Sequence, residues 1–359
     1  MPHFTPGRPP TIYDVAALSG VGRTTVSRVL NGDAHVADAT RERVQAAVRK
    51  LRYRVNPQAR LLAGGRPHAL MVIYPVNDEV GPNTWYNLLI ESGALRACGK
   101  AGLQLIMQQV FPHSLSKHAR VMELIDSHAC DGMILAPPFS DDAELIAMIK
   151  ARHMPLACLA AGPATRDLAP GVGIDDEAAG YDLTRYLLDQ GHCRFAFMDG
   201  LKDHLSASLR YAGFRRALQD AGLDPDEAAT ARGNLTFLGG QDQLPVLLAQ
   251  RPTAVICAND DMAAGALYRA HQLGVKTPDE VSIVGFDDAP FTQMVWPPLT
   301  TISQPVFAMA QRVVDIVVQV ISDPHAPVDY ELVPHRIVRR DSAAPPAQDR
   351  LQATNPATP

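Results

Sequence analysis

The sequence has few cysteines and no long apolar run, and its opening residues are not apolar. Its five cysteines are scattered without a C-x-x-C pair, which argues against a disulfide framework or a thiolate metal site and favours a reducing compartment. No apolar run reaches the roughly 18 residues needed to cross a bilayer. The opening residues, MPHFTPGRPP, lack the hydrophobic segment of a signal peptide, so we expect a cytoplasmic protein with no membrane partner.

Motifs for nucleotide, metal and acyl-transfer chemistry are missing as well. The segment GVGIDD at 171–176 lacks the third glycine of a dinucleotide fingerprint, and no G-x-S-x-G, Walker or H-E-x-x-H motif occurs. Paired aspartates at 175–176, 260–261 and 287–288 invite a metal or acid–base interpretation. Adjacent side chains diverge on a strand, however, and no pair lies at ligand spacing from a histidine. We therefore expect no enzyme and no metal site.

Positive and negative charges are unevenly distributed along the 359 residues. Residues 1–66 contain 11 Lys and Arg against 4 Asp and Glu, a net charge of +7. Residues 67–359 contain 22 basic and 34 acidic side chains, a net charge of −12. A basic head on an acidic body is what binding a polyanion at one end requires, although an RNA-binding or membrane-surface arm would have the same balance.

The basic head has the pattern of three short helices. Thr11 and Asp14 form a capping box before an apolar stripe, and Gly20 fits the left-handed end of this first helix. Two further helices are predicted over 23–30 and 38–51. Two short helices around a tight glycine turn, closed by a third, are typical of a helix-turn-helix DNA-binding domain. A small bundle with a solvated basic face is the alternative.

A short helical segment follows the head. Asn56 is a suitable cap, Pro57 fits the first helical position, and Gly64-Gly65 ends the segment. A helix of about eight residues is unstable alone in water. The segment is therefore either a hinge that folds against DNA and a second copy of the chain, or a plain linker.

The head and hinge resemble those of the LacI/GalR family of repressors. The resemblance rests on TIYDVAALSGVGRTTVSRVLNG at 11–32, His35-Val36 and YRVNPQARLLA at 53–63. It implies base reading by Arg23, Thr24 and Arg28. It implies phosphate contacts by Tyr13, Thr25, Ser27, Asn31, His35 and Tyr53, and minor-groove contacts by Ala59 and Leu62, with Leu62 as the wedge. Gly22 stands where the family usually has a capping serine, which glycine replaces at little cost.

The body alternates short apolar runs with helical stretches. The apolar runs are 70–76, 103–108, 132–136, 156–159, 195–198, 254–258 and 282–286. The helical stretches are 86–101, 120–127, 178–190, 209–221, 262–273 and 307–321. This alternation indicates parallel sheets covered on both faces, and roughly 270 residues exceed one core, so two lobes are expected.

Polar residues follow several predicted strands. Asn259-Asp260-Asp261 follows AVICA, Asp287-Asp288 follows SIVGF, and Arg210 lies near the start of a helix. Ligands in such folds bind at the carboxyl ends of the strands. An amide, carboxylates and a guanidinium in a cleft would suit a polyhydroxyl ligand. Loop capping and a surface ion pair are the alternative interpretation, and spacing alone does not choose between them.

The body resembles the periplasmic-binding-protein-like (type I) core of the same family to about residue 342. The resembling stretches are DGMILAP, VGIDDEAAG, RYAGFRRAL, CANDDMAAGAL, VSIVGFDD and PPLTTISQP. The resemblance implies effector contacts by Arg210, Asn259 and Asp287, an aromatic wall from Trp85 and Tyr86, and a contact by Ser206. The sequence departs from the family at Ala160-Ala161, where Asp-Arg or Asp-Trp is usual, and at Leu235, where an aromatic is common.

These observations predict an all-α helix-turn-helix head on an α/β two-lobed core with parallel sheets. The expected divisions are a DNA-binding domain at 1–54, a hinge at 55–66, an effector-binding and dimerisation domain at 67–342 and a disordered tail at 343–359. The N-lobe is expected at about 67–166 and 304–328, and the C-lobe at about 167–303 and 329–342. The expected function is a repressor that binds a palindromic operator as a homodimer, with a sugar-like effector between the lobes.

Two other classes of protein compete with this prediction. A sugar-binding protein that serves a transporter would need a signal peptide and no basic head, and the sequence has the reverse. A DNA-architectural protein without a ligand would lack the aromatic, arginine and aspartate residues expected around the cleft.

Overall fold

The computed structural model describes residues 10–30, 33, 35–51, 53, 68–76, 85–202, 204–324 and 327–347. The chain divides into two units, and the boundary falls between residues 67 and 68. The predicted hinge at 55–66 and the last twelve residues lie outside the described residues. So do three predicted DNA contacts: Asn31, Ala59 and Leu62.

The head contains the three predicted helices, and the second and third have the predicted bounds. They are α1 (Ile12–Ser19), α2 (Arg23–Leu30) and α3 (Asp38–Leu51). The capping box of α1 is present, since the backbone N–H and the hydroxyl of Thr11 each donate to the Asp14 carboxylate at 2.7 Å. Gly20 ends the helix at φ 69°, a conformation that glycine adopts without the steric cost of a Cβ.

A small apolar core joins the three helices. Its fully buried members are Val15, Val26, Val29, Val44 and Ala47. Because these residues recur at helical spacing, each helix turns one apolar stripe inward and leaves its polar face to solvent.

The body contains two six-stranded sheets. The first has the order β11-β5-β4-β3-β1-β2, and all its pairings are parallel. Its strands are β1 (Ala69–Pro75), β2 (Gln104–Val110), β3 (Gly132–Leu135), β4 (Leu156–Leu159), β5 (Gly171–Gly173) and β11 (Tyr330–Leu332). Strands β3 and β4 are buried throughout, as expected of strands covered on both faces.

The second sheet has the order β12-β10-β9-β8-β6-β7. Its strands are β6 (Phe195–Asp199), β7 (Ala229–Arg232), β8 (Ala254–Cys257), β9 (Ser282–Asp287), β10 (Thr300–Ser303) and β12 (Arg336–Val338). The pairing of β12 with β10 is antiparallel, and the other pairings are parallel. The prediction of parallel sheets is confirmed, and β12, which follows β11 of the first sheet after a short connection, is an antiparallel edge strand.

Eight helices cover the two sheets in the described part of the body. They are α4 (Trp85–Ala101), α5 (Lys117–Asp126), α6 (Ala143–Ala151), α7 (Asp176–Asp189), α8 (Leu205–Asp220), α9 (Phe237–Leu248), α10 (Asp260–Gln272) and α11 (Val306–Ser322). Helices α4 and α11 pack together on the first sheet, while the pairs α7–α8 and α9–α10 belong to the second.

The chain passes between the two sheets three times, after β5, after β10 and after β11. One crossing follows β10, which ends at Ser303. The other two come later than the expected positions near 167 and 329, because β5 and β11 both belong to the first sheet. These strands have three residues each, and neither contains an apolar run that the sequence pattern could detect.

The ordered body also extends beyond Ser342, where a disordered tail was expected to begin. The backbone N–H of Ala344 donates to the Ser282 hydroxyl at 3.1 Å, and its carbonyl oxygen lies 3.0 Å from Nε2 of His192. Burial lowers the pKa of His192 to about 4, so the imidazole is neutral near pH 7. The first residues of the expected tail are thus fastened to the second sheet.

Helices α7 and α8 approach each other closely through two glycines. A Cβ added at Gly180 would lie 2.2 Å from the carbonyl oxygen of Arg210, and one at Gly213 would lie 2.0 Å from that of Glu177. Only glycine permits this backbone contact, which fixes Arg210 on α8 against the first turn of α7.

Replacing Gly213 by Ala should therefore lower the free energy of unfolding by about 1–3 kcal/mol, the usual cost of forcing a methyl group into a packed contact. Gly99 on α4 is the matched control, since a Cβ there meets nothing within 4 Å. Gly99→Ala should raise stability by about 0.5–1 kcal/mol. Urea unfolding of both variants measures the two effects, and shifts of the same sign would contradict the packing argument.

Candidate nucleic-acid interface and ligand cleft

Helix α2 presents its polar side chains away from the core of the head. Its two buried valines face the other helices, which leaves Arg23, Thr24 and Arg28 exposed. Thr25 and Ser27 are half-buried beside them. The exposed side chains are hydrogen-bonding types that can reach base edges or phosphates.

Tyr13 of α1 joins this exposed surface. Nη1 of Arg23 lies 3.2 Å from the Tyr13 hydroxyl oxygen, and the guanidinium lies 5.7 Å from the ring centroid. Tyr13 is 63% exposed although it is an aromatic residue. Two residues to which the resemblance gives different roles are therefore held together on one face.

Asp33 contacts two predicted DNA-binding residues, His35 and Arg28, at the other end of the same surface. The backbone N–H of His35 donates to its carboxylate at 2.9 Å, and Nε of Arg28 lies 3.8 Å away. The hydrogen bonds from His35, the backbone one first, lower the pKa of Asp33, so the carboxylate stays charged. Tyr53 packs instead against the apolar core of the head and is half-buried.

In the body, polar residues collect where the parallel strands end. Asp287 is the last residue of β9, Asn259 is the second residue after β8, and Gln304 is the first residue after β10. Because neighbouring parallel strands end at the same edge, these residues form one cluster.

Arg210 lies at the centre of this cluster. Its Nε donates to Oδ1 of Asp176 at 2.9 Å, and its Nη1 donates to the carbonyl oxygen of Ala258 at 2.6 Å and lies 3.8 Å from Oδ1 of Asp287. The Phe286 ring covers the guanidinium at 3.7 Å. With only 6% of its surface exposed, this arginine is fixed from four sides.

Two further buried carboxylates stand on the β9 side of the cluster. Burial raises the pKa of Asp287 well above its ordinary value, although Arg210 opposes the shift and Gln304 donates to the carboxylate. Burial also raises the pKa of Asp260, to about 7, even though Thr301 and the backbone N–H of Ala289 donate to it. The region therefore contains more buried carboxylate than cation.

Tyr86 and Ser206 belong to the same cluster. Burial raises the pKa of Tyr86, and the charges of Asp287 and Asp176 add to the shift. Ser206 is buried, and its hydroxyl hydrogen bond lowers the pKa of Asp176 against the larger raising effect of burial. Both predicted residues thus lie within electrostatic reach of the cluster around Arg210.

Trp85 lies on a helix of the first sheet and contacts residues that follow strands of the second sheet. It begins α4, yet its ring centroid lies 5.8 Å from that of Phe291, which follows β9. Its backbone N–H also donates to Asp261 at the start of α10, opposing the burial that raises the pKa of that carboxyl to about 6. These contacts connect the two lobes beside the cluster.

Both polar atoms of the Asn259 side chain make structural hydrogen bonds. Its Oδ1 accepts the N–H of Met262 at 3.0 Å and so caps α10, and its Nδ2 donates to the carbonyl oxygen of Leu235 at 3.0 Å. Leu235 has φ 65°, so this bond holds a backbone conformation that leucine rarely adopts. The capping interpretation therefore holds for Asn259, whatever further contact its amide makes.

Asp176, the buried ion-pair partner of Arg210, was not among the predicted site residues. Each aspartate pair sends one member into the cluster, and the buried members are Asp176, Asp260 and Asp287. The divergence of neighbouring side chains was used to set the pairs aside. In this fold the same divergence is what brings three carboxylates together, so an acidic pair directly after an apolar strand was the available signal.

Two of the other members of the pairs make structural contacts outside the cluster. Asp175 caps α7 by accepting the N–H of Ala178 at 3.0 Å. Asp288 accepts a hydrogen bond from Nη2 of Arg340 at 2.6 Å.

Tyr330 lies at one of the two departures from the family pattern. Its hydroxyl oxygen accepts the N–H of Ala161 at 2.7 Å, and burial raises the pKa of the phenol. Asp141 lies nearby and accepts the N–H of Gly162 at 2.7 Å, while burial raises the pKa of its carboxyl to about 6. The hydroxyl group of a tyrosine from β11 thus hydrogen-bonds the backbone at the two alanines.

Within the described ranges, no cluster of histidine, cysteine or acidic side chains has the geometry to hold a metal ion. No helix in the same ranges is long and apolar enough to span a membrane.

Comparison with known proteins gives matches over both parts of the chain. The model for bacterial regulatory proteins of the lacI family matches residues 11–56, and that for a periplasmic binding protein-like domain matches residues 184–343. The transcriptional repressor PurR of Vibrio parahaemolyticus is 32% identical over 92% of this chain and 97% of its own. The ribose operon repressor of Escherichia coli is 30% identical over 88% of this chain and 94% of its own.

Solved structures are similar over nearly the whole chain. The Lac repressor dimer bound to operator and the anti-inducer ONPF has a TM-score of 0.78 at 28% identity, covering 94% of this chain and 100% of that one. The complex of the transcriptional regulator CelR with cellobiose has a TM-score of 0.69 at 28% identity, covering 93% and 100%.

Replacing Arg210 by Met should cost on the order of 3–5 kcal/mol of unfolding free energy at about pH 8, since Asp176 and Asp287 lose a buried cation. Carboxyls with a raised pKa in the folded state bind protons on folding, so the cost should shrink as the pH falls toward about 5. Urea unfolding at several pH values measures this dependence.

The control is Arg120→Met, which removes an exposed arginine 3.1 Å from Glu123. Its cost should stay below about 1 kcal/mol. A loss for Arg210→Met that is equal at both ends of the pH range would contradict the account of the cluster.

Proposed function

This chain belongs to the LacI family of bacterial regulatory proteins, and from that premise we propose that it binds a near-palindromic operator as a homodimer under the control of a sugar-like effector. As a family member it is a ligand-responsive, DNA-binding repressor and not an enzyme. We further propose that it acts in the cytoplasm.

The exposed polar face of α2 is the main observation that supports sequence-specific DNA binding. Arg23, Thr24 and Arg28 are exposed there and would read base edges. The neighbouring Tyr13, Thr25, Ser27 and His35, together with Tyr53, would contact phosphates. The head's net charge of +7 supplies the attraction to a polyanion. Asn31, Ala59 and Leu62 complete the proposed interface by resemblance alone.

Exposed apolar residues support the homodimer. Helix α9 carries Phe237, Leu238 and Val246, which are 40%, 66% and 57% exposed, and α10 adds Tyr268 at 48%. The rings of Phe237 and Tyr268 lie 5.7 Å apart, so the two helices share one apolar surface. Apolar surface of this kind is typical of interfaces between subunits. Two heads related by a two-fold axis would require an operator of matching symmetry.

The cluster around Arg210 supports a polyhydroxyl effector. Each sugar hydroxyl both donates and accepts, and the cluster offers carboxylate acceptors in Asp287 and Asp176, a guanidinium donor in Arg210, and aromatic faces in Trp85 and Tyr86. The CelR structure contains cellobiose, a sugar ligand of a similar protein. Asn259 and Ser206 line the same strand ends and complete the proposed set.

The proposed switch is a change in the relation between the lobes. Trp85 contacts Phe291 and Asp261 across the cleft, so a ligand held beside it would favour one arrangement of the lobes over another. The arrangement of the lobes would in turn set DNA affinity, with a coupling free energy of about 1–3 kcal/mol, which is typical of allosteric proteins.

Selection from genomic fragments should enrich a near-palindrome, and Arg28→Ala should weaken binding to it about tenfold or more. A guanidinium that reads a base discriminates by about 1–3 kcal/mol, so preference at one base pair of each half-site should relax. The control is Arg49→Ala, which removes the same charge from the last turn of α3. Equal losses on operator and scrambled DNA would make Arg28 a phosphate contact instead.

Asp287→Asn should abolish the response of operator binding to effector and leave binding without effector unchanged. The substitution removes the charged acceptor but preserves the side-chain shape. Asp288→Asn is the matched control, because the adjacent carboxylate is paired with Arg340. The probe is a pool of mono- and disaccharides, read by calorimetry and by operator titration. A response retained in Asp287→Asn would remove this residue from the site.

A further inference from the structure

A groove of about 590 Å³ lies between helix α7 and the edge strand β12. Arg185 and Tyr186 line it from the helix, and His335, Arg336 and Arg339 line it from the strand and its flanks. Among the described strands, β12 pairs with β10 alone, so its outer edge faces the groove. These residues are not members of the cluster around Arg210.

The acidic residues of the groove are already paired. Oδ1 of Asp189 lies 3.1 Å from Nη2 of Arg185, one helical turn away. Oδ2 of Asp182 lies 2.9 Å from Nε2 of His335. Both carboxylates therefore have contacts with residues other than Arg336 and Arg339.

Arg336 and Arg339 have no acidic partner within 4 Å among the residues that the structure describes. Arg339 is exposed, and its guanidinium stacks on the Tyr186 ring at 5.1 Å from the centroid, which holds it over the groove. Two unpaired guanidiniums thus line one concavity on a body whose net charge is −12.

We propose that this groove binds a small phosphate-type dianion through Arg336 and Arg339. A guanidinium presents parallel N–H donors that match two oxygens of a phosphate, and two such groups would balance the double charge. The ligand is either inorganic phosphate or the phosphate of a small metabolite. The site would give the regulator a second chemical input, separate from the proposed sugar cleft.

Calorimetric titration of the full-length protein tests the proposal with inorganic phosphate, glycerol phosphate and glycerol at constant ionic strength. The double variant Arg336→Gln/Arg339→Gln should bind phosphate at least tenfold more weakly than the wild type, the size expected for losing a charge-assisted hydrogen bond. Phosphate bound by the basic head is common to both proteins and cancels in the comparison. Arg339→Lys keeps the charge but not the planar fork, so its affinity should fall between the two.

Arg216→Gln is the matched control. Arg216 also stacks on a tyrosine of α7, at 4.7 Å from the Tyr181 centroid, but its guanidinium is paired with Glu177. Its loss should leave phosphate affinity unchanged. Tighter binding of glycerol phosphate than of phosphate, lost in the double variant, would assign the site to a phosphorylated metabolite, and equal binding would assign it to free phosphate.

Three results would overturn the proposal, and none depends on the operator or the sugar. The first is equal phosphate affinity in the wild type and the double variant. The second is a loss in Arg216→Gln as large as that in the double variant. The third is the absence of any phosphate-dependent heat from the wild type at millimolar concentrations.

Discussion

Burying several carboxylates in one place is strongly unfavourable unless a cation is buried with them. Among the described residues that are buried, Arg210 is the one Lys or Arg, and it faces Asp176 and Asp287 while Phe286 covers its π face. The close contact at Gly180 and Gly213 holds its helix against α7. The packing of α7 on α8, the ends of the strands and the chemistry of the cleft therefore all depend on this single guanidinium.

The cleft arises from a repeated local geometry. A buried strand is followed by an acidic pair, one side chain caps a helix or pairs with an arginine outside the cluster, and its neighbour turns into the cluster. Asp175 and Asp288 make the structural contacts, and Asp176 and Asp287 are the buried members of the cluster. Asp176 follows β5 of the first sheet and Asp287 ends β9 of the second, so one junction from each sheet meets at Arg210.

Helix α7 takes part in both proposed ligand sites of the body. Its first turn contains Asp176 beside Arg210, and its second half contributes Arg185 and Tyr186 to the groove along β12. The two sites differ in charge, because buried carboxylate exceeds cation in the cleft while unpaired arginines line the groove. Electrostatics would therefore favour a neutral polyol in the cleft and a phosphate in the groove.

The three helices of the head could be predicted from the sequence. Caps, a left-handed glycine and apolar spacing are local signals, and α2 and α3 have the predicted bounds. The sequence also determined the long buried strands and their parallel order, because unbroken apolar runs are visible without tertiary information. The short strands β5, β7, β10, β11 and β12, the buried partners of Arg210 and the groove beside α7 could not be predicted from the sequence pattern and depend on the tertiary structure. Those features depend on contacts between residues far apart in the chain, such as Arg210 with Asp176 or Tyr186 with Arg339, and no local pattern encodes such pairs.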